Sequence, residues 1–290
     1  NTEAQARALE QALAGTEAKA FIAMRYWHPM TAETVAAVKA YAPDQIVLLP
    51  LYPQFSTTTT ASSYRLWSEE AARQGLTQPH RLICCFPTEP GFIAAASDLV
   101  QQGIARAKAE APAGRPLVVF SAHGLPKRIV ADGDPYVSQV EAGASEIVAR
   151  LGLAAGDWVV AYQSRVGPLE WVRPATDAVI LGAAREKRAL VVFPVAFSSE
   201  HSETLVELDI EYRHLAERNG AAAYVRVPAV GTHSAFIAGL AALVRKAMAD
   251  STSVQDGSGR QACVDWRRCA CQESGIRYQR SDGPVLIRDP

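Results

Sequence analysis

The chain has 290 residues, 49% of them apolar and 20% charged, with 29 Lys and Arg against 30 Asp and Glu. That length buries a substantial core in one large or two ordinary domains, and a net charge of -1 supplies no overall basic field for nucleic acid. No apolar run approaches the roughly 18 residues that cross a bilayer, and collagen, coiled-coil and disordered compositions are excluded.

The chain opens Asn1-Thr2-Glu3, almost inside a helical pattern. No initiator Met, basic n-region or apolar h-region precedes it, so no signal peptide is visible and a segment upstream is expected. Short β-branched runs then alternate with longer Ala-rich periodic stretches. The runs predict strands at Phe21–Met24, Gln45–Leu49, Arg81–Phe86, Leu117–Phe120, Trp158–Tyr162, Leu190–Val195 and Ala222–Val227. Between them the periodicity predicts helices over Thr2–Ala14, Thr31–Ala40, Ser62–Gln74, Gly91–Ala109, Pro135–Leu151, Pro174–Glu186, Ser202–Asn219 and Ser234–Ala249. Apolar strands without clean alternation, separated by helices, indicate parallel sheet buried on both faces: an α/β protein built from βαβ units.

Local chemistry marks several edges. Asp134-Pro135 places an N-cap before a proline at the first helical position. Asn219-Gly220 closes the helix from Ser202 with a pair that tolerates left-handed backbone. Pro112 with Gly114-Arg115-Pro116 reads as one linker, and Pro228–Gly231 as a second crossing. Ser251 to Gly259 reads as flexible linker, followed by a tail with little periodicity. Five cysteines are too few and too uneven for a disulfide scaffold, so a reducing, cytoplasmic setting is expected. Cys84 and Cys85 are adjacent in an apolar run, while Cys263, Cys269 and Cys271 cluster late.

In open parallel sheets ligands bind beyond the carboxyl ends of the strands, and the polar clusters fall there. Ser121-Ala122-His123-Gly124-Leu125-Pro126 follows the strand ending at Phe120. A histidine there titrates near neutrality or binds metal, though capping alone would also use one. Gly124 lets the backbone turn without a Cβ clash. Glu203, Glu207 and Glu211 stand at i, i+4 and i+8, on one helix face, with no Lys or Arg between them. Such like charges repel by a few tenths of a kcal/mol per pair. They form either a solvated acidic face or a ladder of hard oxygen ligands for a divalent cation. Tyr162 to Pro168 with Trp171, and Leu51-Tyr52-Pro53-Gln54-Phe55-Ser56, add aromatics and hydroxyls suited to a flat apolar ligand with a polar rim. Arg25, beside Tyr26, is a candidate carboxylate anchor. There is no GxGxxG, no P-loop and no nucleophile elbow. This inventory fits metal-ion handling beside an aromatic organic ligand.

At these residues the chain closely resembles ferrochelatase. The matching segments are Met24-Arg25-Tyr26 with His28-Pro29, Leu51 to Ser56, Phe120 to Pro126, Gly133-Asp134-Pro135-Tyr136, Tyr162 to Pro168, and His201 to Tyr212. The resemblance implies two similar Rossmann-like domains with parallel sheets flanked by helices, class II chelatase-like, and no dinucleotide. It implies insertion of Fe²⁺ into a porphyrin, protoporphyrin IX being the expected one, with release of two protons, the terminal step of haem biosynthesis. The domains would be residues 1–113 completed by helix 232–250, then 114–231, with 251–290 a cysteine-containing extension. His123 matches the family's active-site histidine, and Glu203 the carboxylate facing it across the porphyrin. Glu207 and Glu211 match an acidic line leading away, so His123, Glu203, Glu207 and Glu211 are the expected metal contacts. Arg25, Tyr26, Tyr52, Ser121 and Trp171 look like pocket positions.

Two other functions share parts of this pattern: a related cobalt or sirohydrochlorin chelatase, which lacks the Tyr162–Pro168 and Leu51–Ser56 signatures, and a non-catalytic porphyrin carrier, which needs no proton acceptor. The chain also departs from the family. The Asn-Leu-Gly-Gly-Pro segment and the loop that closes over the porphyrin have no counterpart here, and Glu200 stands where Asp is usual. Many members hold a [2Fe–2S] cluster on one cysteine of the first domain and three near the C-terminus. Cys263, Cys269 and Cys271 supply three thiols, but Thr57 stands at the upstream position, so a cluster needs Cys84 or Cys85 as its fourth ligand or a different site, and free thiols are the alternative. The greasy substrate gives a reason for peripheral membrane contact.

Overall fold

The computed structural model describes residues 1–164 and 167–249, and the backbone of 254–255. Two parallel sheets organise it. The larger has four strands in the order β4-β3-β5-β6, formed by β3 (Pro116–His123), β4 (Trp158–Gln163), β5 (Ala189–Pro194) and β6 (Ala223–Arg226). Side chains alternate across a strand, so each of its strands feeds two cores. Val118, Phe120, Ala122, Val191, Phe193 and Val225 point to one face. There they join α4 (Pro90–Glu110), α6 (Tyr136–Leu151) and α9 (Ser234–Ala249) in the main core. Leu117, Val119, Ala161, Leu190, Val192 and Tyr224 point to the other. They pack against α7 (Thr176–Arg185), a π-helix (Glu203–Glu211) and α8 (Tyr212–Arg218). The sheet is buried on both faces, as its continuous apolar runs predict, and each fully buried Val, Leu or Phe side chain contributes about 1.5–3 kcal/mol.

The smaller sheet has the order β1-β2-β7, from β1 (Ile46–Leu48), β2 (His80–Ile83) and β7 (Val254–Gln255), all parallel. On one side α2 (Thr31–Tyr41) and α3 (Thr60–Gln74) enclose Val35, Val38, Ile46, Trp67 and Ala71. On the other, α9 packs on β2, α4 and α1 (Thr2–Ala12). Helices α4 and α9 cross closely at glycines: a Cβ on Gly91 would lie 2.3 Å from the Ala235 carbonyl oxygen.

Several expectations need correction. Phe21–Met24 forms no strand, only an isolated bridge between Met24 and Met30. Side chains hold its backbone instead: Thr34 donates to the Ile22 carbonyl, Thr31 to the Met24 carbonyl, and Glu10 accepts from Ala20 N–H. The stretch read as linker after Ser251 contains β7, which pairs with the edge that Leu82 and Ile83 of β2 present. The strand expected to end at Phe120 runs to His123, so the SAH residues are strand, not loop. The helix expected over Ser202–Asn219 is a π-helix followed by α8. A short α5 (Lys127–Ala131) escapes the periodicity. The helix expected from Pro135 starts one residue later: Pro135 is its N-cap and Tyr136 its first residue, with Asp134 Oδ1 accepting from Tyr136 N–H at 3.0 Å. The closing pair holds, Gly220 taking the left-handed conformation, φ 84°.

Candidate active site

His123 is the last residue of β3, at the carboxyl end of the central strand pair. The chain must turn there against β4 and Trp171: a Cβ on Gly124 would meet the Gln163 carbonyl oxygen at 3.0 Å and the Trp171 ring at 3.2 Å. Glycine leaves room for both.

His123 Nδ1 lies 2.7 Å from Glu203 Oε2. The hydrogen bond to Glu203 raises the pKa of His123, against partial burial. Burial alone would raise Glu203, yet the hydrogen bond and charge of His123 hold its carboxyl below the ordinary value. Both side chains stay about two-fifths exposed, at 41% and 36%, so solvent reaches the pair. The two expected to face one another across a gap are in direct contact here.

Glu203 opens the π-helix and Glu211 ends it. Bonding from i to i+5 widens the turn, so residues four apart stay on one face. Glu203, Glu207 and Glu211 accordingly line one cavity of about 640 Å³, with Ser164, Trp171, Asp177, Ser202 and Tyr212. Glu207 is held from three sides. It accepts from Ser164 N–H at 2.9 Å, from Ser164 Oγ, from Gln163 Nε2 at 3.2 Å and from Tyr212 Oη at 2.8 Å. Ser164 achieves this double donation with φ 60°, a left-handed conformation that costs a non-glycine residue on the order of 1 kcal/mol. Beneath the helix, Arg226 pairs with Glu200 and Asp209, and Arg213 also binds Asp209 at 2.7 Å.

The other expected residues fall into distinct groups. Trp171 lines the cavity. Ser121 is fully buried and hydrogen-bonds Gln163 Oε1 at 2.6 Å and Thr176 Oγ1 at 3.1 Å, so it acts behind the surface rather than on it. Arg25, Tyr26 and Tyr52 form a cluster on the other sheet's side: Arg25 stacks over the Tyr26 ring at 4.8 Å and bonds Ser62 Oγ. Tyr52 is raised in pKa by burial, with Tyr26, Arg25 and Ser63 around it. Cys263, Cys269 and Cys271 lie outside the described residues, as do Arg165 and Val166 of the Tyr162–Pro168 segment. Thr57, at the upstream cysteine position, donates its hydroxyl to Asp134, and Cys84 and Cys85 are packed in the core with Phe55 and Leu82. The sequence places Gln163 and Ser164 in a polar cluster after the strand expected to end at Tyr162, and Tyr212 at the end of the His201–Tyr212 segment, but gives none of the three a partner; their bonds to Glu207 follow from backbone that no periodicity reveals.

The Ferrochelatase family profile matches residues 1–248. Ferrochelatase of Caulobacter vibrioides NA1000 is 50% identical over 281 residues, covering 94% of this chain and 78% of the relative. That of Phenylobacterium zucineum is 47% identical over 287 residues, covering 94% and 79%. That of Thermosynechococcus vestitus is 46% identical over 256 residues, covering 86% and 64%. Among solved structures, SirB from Bacillus subtilis with Fe³⁺ superposes with a TM-score of 0.61 at 13% identity, over 89% of this chain and 92% of that one, a likeness of fold. By family profile and by relatives at up to 50% identity, the chain belongs to the ferrochelatase family.

Proposed function

We propose that the protein inserts Fe²⁺ into a porphyrin with release of two protons, the chelation step of haem biosynthesis, and that His123 and Glu203 carry it. The observation behind this reading is the contact of a histidine of raised pKa with a carboxylate that begins an acidic line along one cavity. Two pyrrole protons must leave as a desolvated cation enters, so the site needs a base and oxygen ligands together. A cleft that bends the macrocycle exposes a pyrrole lone pair at the expense of binding energy made elsewhere on the ligand.

His123 is the proton acceptor or first metal ligand, and Glu203, coupled through Ser164 and the π-helix to Glu207 and Glu211, supplies the carboxylate side. A macrocycle seated between His123 and Glu203 breaks their 2.7 Å bond, which frees both groups for the pyrrole nitrogens and the iron. Arg25, Tyr26, Tyr52 and Trp171 serve as the porphyrin's contacts, with Ser121 supporting Gln163 from behind. Protoporphyrin IX is the substrate we favour. The iron reading is supported by ferrochelatase relatives near 50% identity, and the cobalt or sirohydrochlorin alternative has no such relative behind it among those compared.

We also propose the division into 1–113 with helix 232–250, then 114–231, then 251–290. For the cysteines, two outcomes decide between readings. Three late thiols fall short of the usual four ligands, and Thr57 is committed to Asp134. Visible absorption with iron analysis of protein purified without oxygen distinguishes a [2Fe–2S] cluster from free thiols, and no chemical step above passes through it. No helix among the described residues is long and apolar enough to cross a membrane; we propose peripheral membrane contact because the porphyrin substrate is greasy. The functional test is anaerobic metal insertion with Fe²⁺, Zn²⁺ and Co²⁺ against protoporphyrin IX, coproporphyrin III and sirohydrochlorin. Iron insertion into protoporphyrin IX is expected to dominate; preference for cobalt with sirohydrochlorin overturns the assignment.

A further inference from the structure

Asp134 is 3% exposed, yet no cation neutralises it among its hydrogen-bond partners. Four donors converge on it. Oδ2 accepts from Ser56 Oγ at 2.9 Å, Thr57 N–H at 2.7 Å and Thr57 Oγ1 at 2.7 Å; Oδ1 accepts from Tyr136 N–H at 3.0 Å. Three of these donors belong to the loop that follows β1, and the fourth begins α6, which packs on the larger sheet's side. A carboxylate this buried is tolerated only where its lone pairs are taken up.

The same loop is fastened at three more points. Gln139 Oε1, on α6 and fully buried, accepts from Phe55 N–H at 2.7 Å. Gln54 Nε2 donates to the Val195 carbonyl at 3.2 Å, and Ser198 Oγ to the Leu51 carbonyl at 2.7 Å. These fastenings join residues 51–57 to elements that end β5 or begin α6, while the Pro53 carbonyl accepts from Phe86 N–H at 2.7 Å, beyond β2. Between them stands Tyr52, with Tyr26 and Arg25 beside it. The Tyr136 side chain, whose N–H Asp134 holds, is buried at the backbone of His123. Through Ser56 and Thr57 on one oxygen and Tyr136 on the other, one carboxylate therefore ties the loop bearing Tyr52 to the segment packed at the strand end bearing His123.

We propose that Asp134 is a positioning residue for metal insertion: it sets the distance and tilt of the Tyr52 wall relative to His123, and so the fit of the porphyrin. This rests on the chelatase reading above. Asp134 is buried and does not line the cavity beside the acidic line, so its loss should weaken porphyrin binding while the chemistry, once substrate is bound, proceeds.

The test compares Asp134→Asn, Thr57→Val and Thr57→Ser with the parent in the full chain, using protoporphyrin IX. Asp134→Asn should raise the porphyrin KM about ten-fold and Thr57→Val about three-fold, with kcat within about two-fold, as expected for losing a charge-assisted bond outside the reacting atoms. Thr57→Ser, which keeps the hydroxyl donor, should restore the parent KM. Thermal midpoints are followed alongside, and Kd from quenching of tryptophan fluorescence is read independently of turnover. A lower midpoint with parent-like KM and Kd in Thr57→Val, or equal KM in Thr57→Val and Thr57→Ser, overturns the proposal. If the parent binds porphyrin but inserts no iron, the functional reading fails, and the Kd series still decides the role of Asp134.

Discussion

His123 illustrates what a single residue position settles. It ends β3, where a parallel sheet opens to ligands, and Gly124 lets the backbone turn past Trp171. Its type and place were readable; its partner's distance was not, because Glu203 is 80 residues away and arrives on a helix of unusual turn. The same contact makes a prediction. Glu203 raises the His123 pKa through its hydrogen bond and charge. Removing the carboxylate with Glu203→Gln should make the imidazole of the metal-free protein titrate at lower pH than in the parent, as followed by NMR. An unchanged titration would mean the pair is not coupled in solution. Ser164 makes a second residue-scale case. Its φ of 60° aims two donors at Glu207, and only the folded backbone reveals that strain.

At the scale of elements, buried parallel strands were the most legible feature. Val118, Val119, Leu190, Val191 and Val192 give continuous apolar runs because both faces of their sheet are covered. The Glu203–Glu211 stretch was legible as a helix with one acidic face, but not as a π-helix, since i+4 spacing suits either turn. What holds it lies underneath: Arg226 is 13% exposed at its side chain and bridges Glu200, ahead of the helix, to Asp209 within it. Arg226→Met leaves both carboxylates without that cation and should lower stability by about 1–3 kcal/mol, read as a denaturation midpoint. Midpoints equal to the parent would show the network to be ornamental. Where α4 crosses α9, the contact is set by backbone rather than side chains. Gly91→Ala puts a methyl 2.3 Å from the Ala235 carbonyl and should cost about 1–3 kcal/mol by forcing the helices apart. A neutral result would mean that α4 shifts without strain.

For the molecule as a whole, the neutral balance of charge conceals how unevenly it is placed. Glu203, Glu207 and Glu211 share one cavity wall, whereas Arg226 and Arg213 are spent beneath it on Glu200 and Asp209. Composition shows a near-balanced charge, but it does not show that the ends of β3 and β4 meet the π-helix at one sheet edge. Phe21–Met24 and the stretch after Ser251 were misread for one reason. Strand formation is a property of neighbours, which local sequence does not contain: the first finds only the single bridge of Met24 to Met30, and the second has β2. His123 is proposed to be needed for metal insertion and not for holding the porphyrin. The direct measurement is anaerobic turnover of Fe²⁺ and protoporphyrin IX by His123→Ala, beside porphyrin affinity from fluorescence quenching. Loss of a general base predicts a fall in turnover of about 10²–10⁴-fold with affinity within a few-fold of the parent; near-parental turnover in His123→Ala would contradict the account.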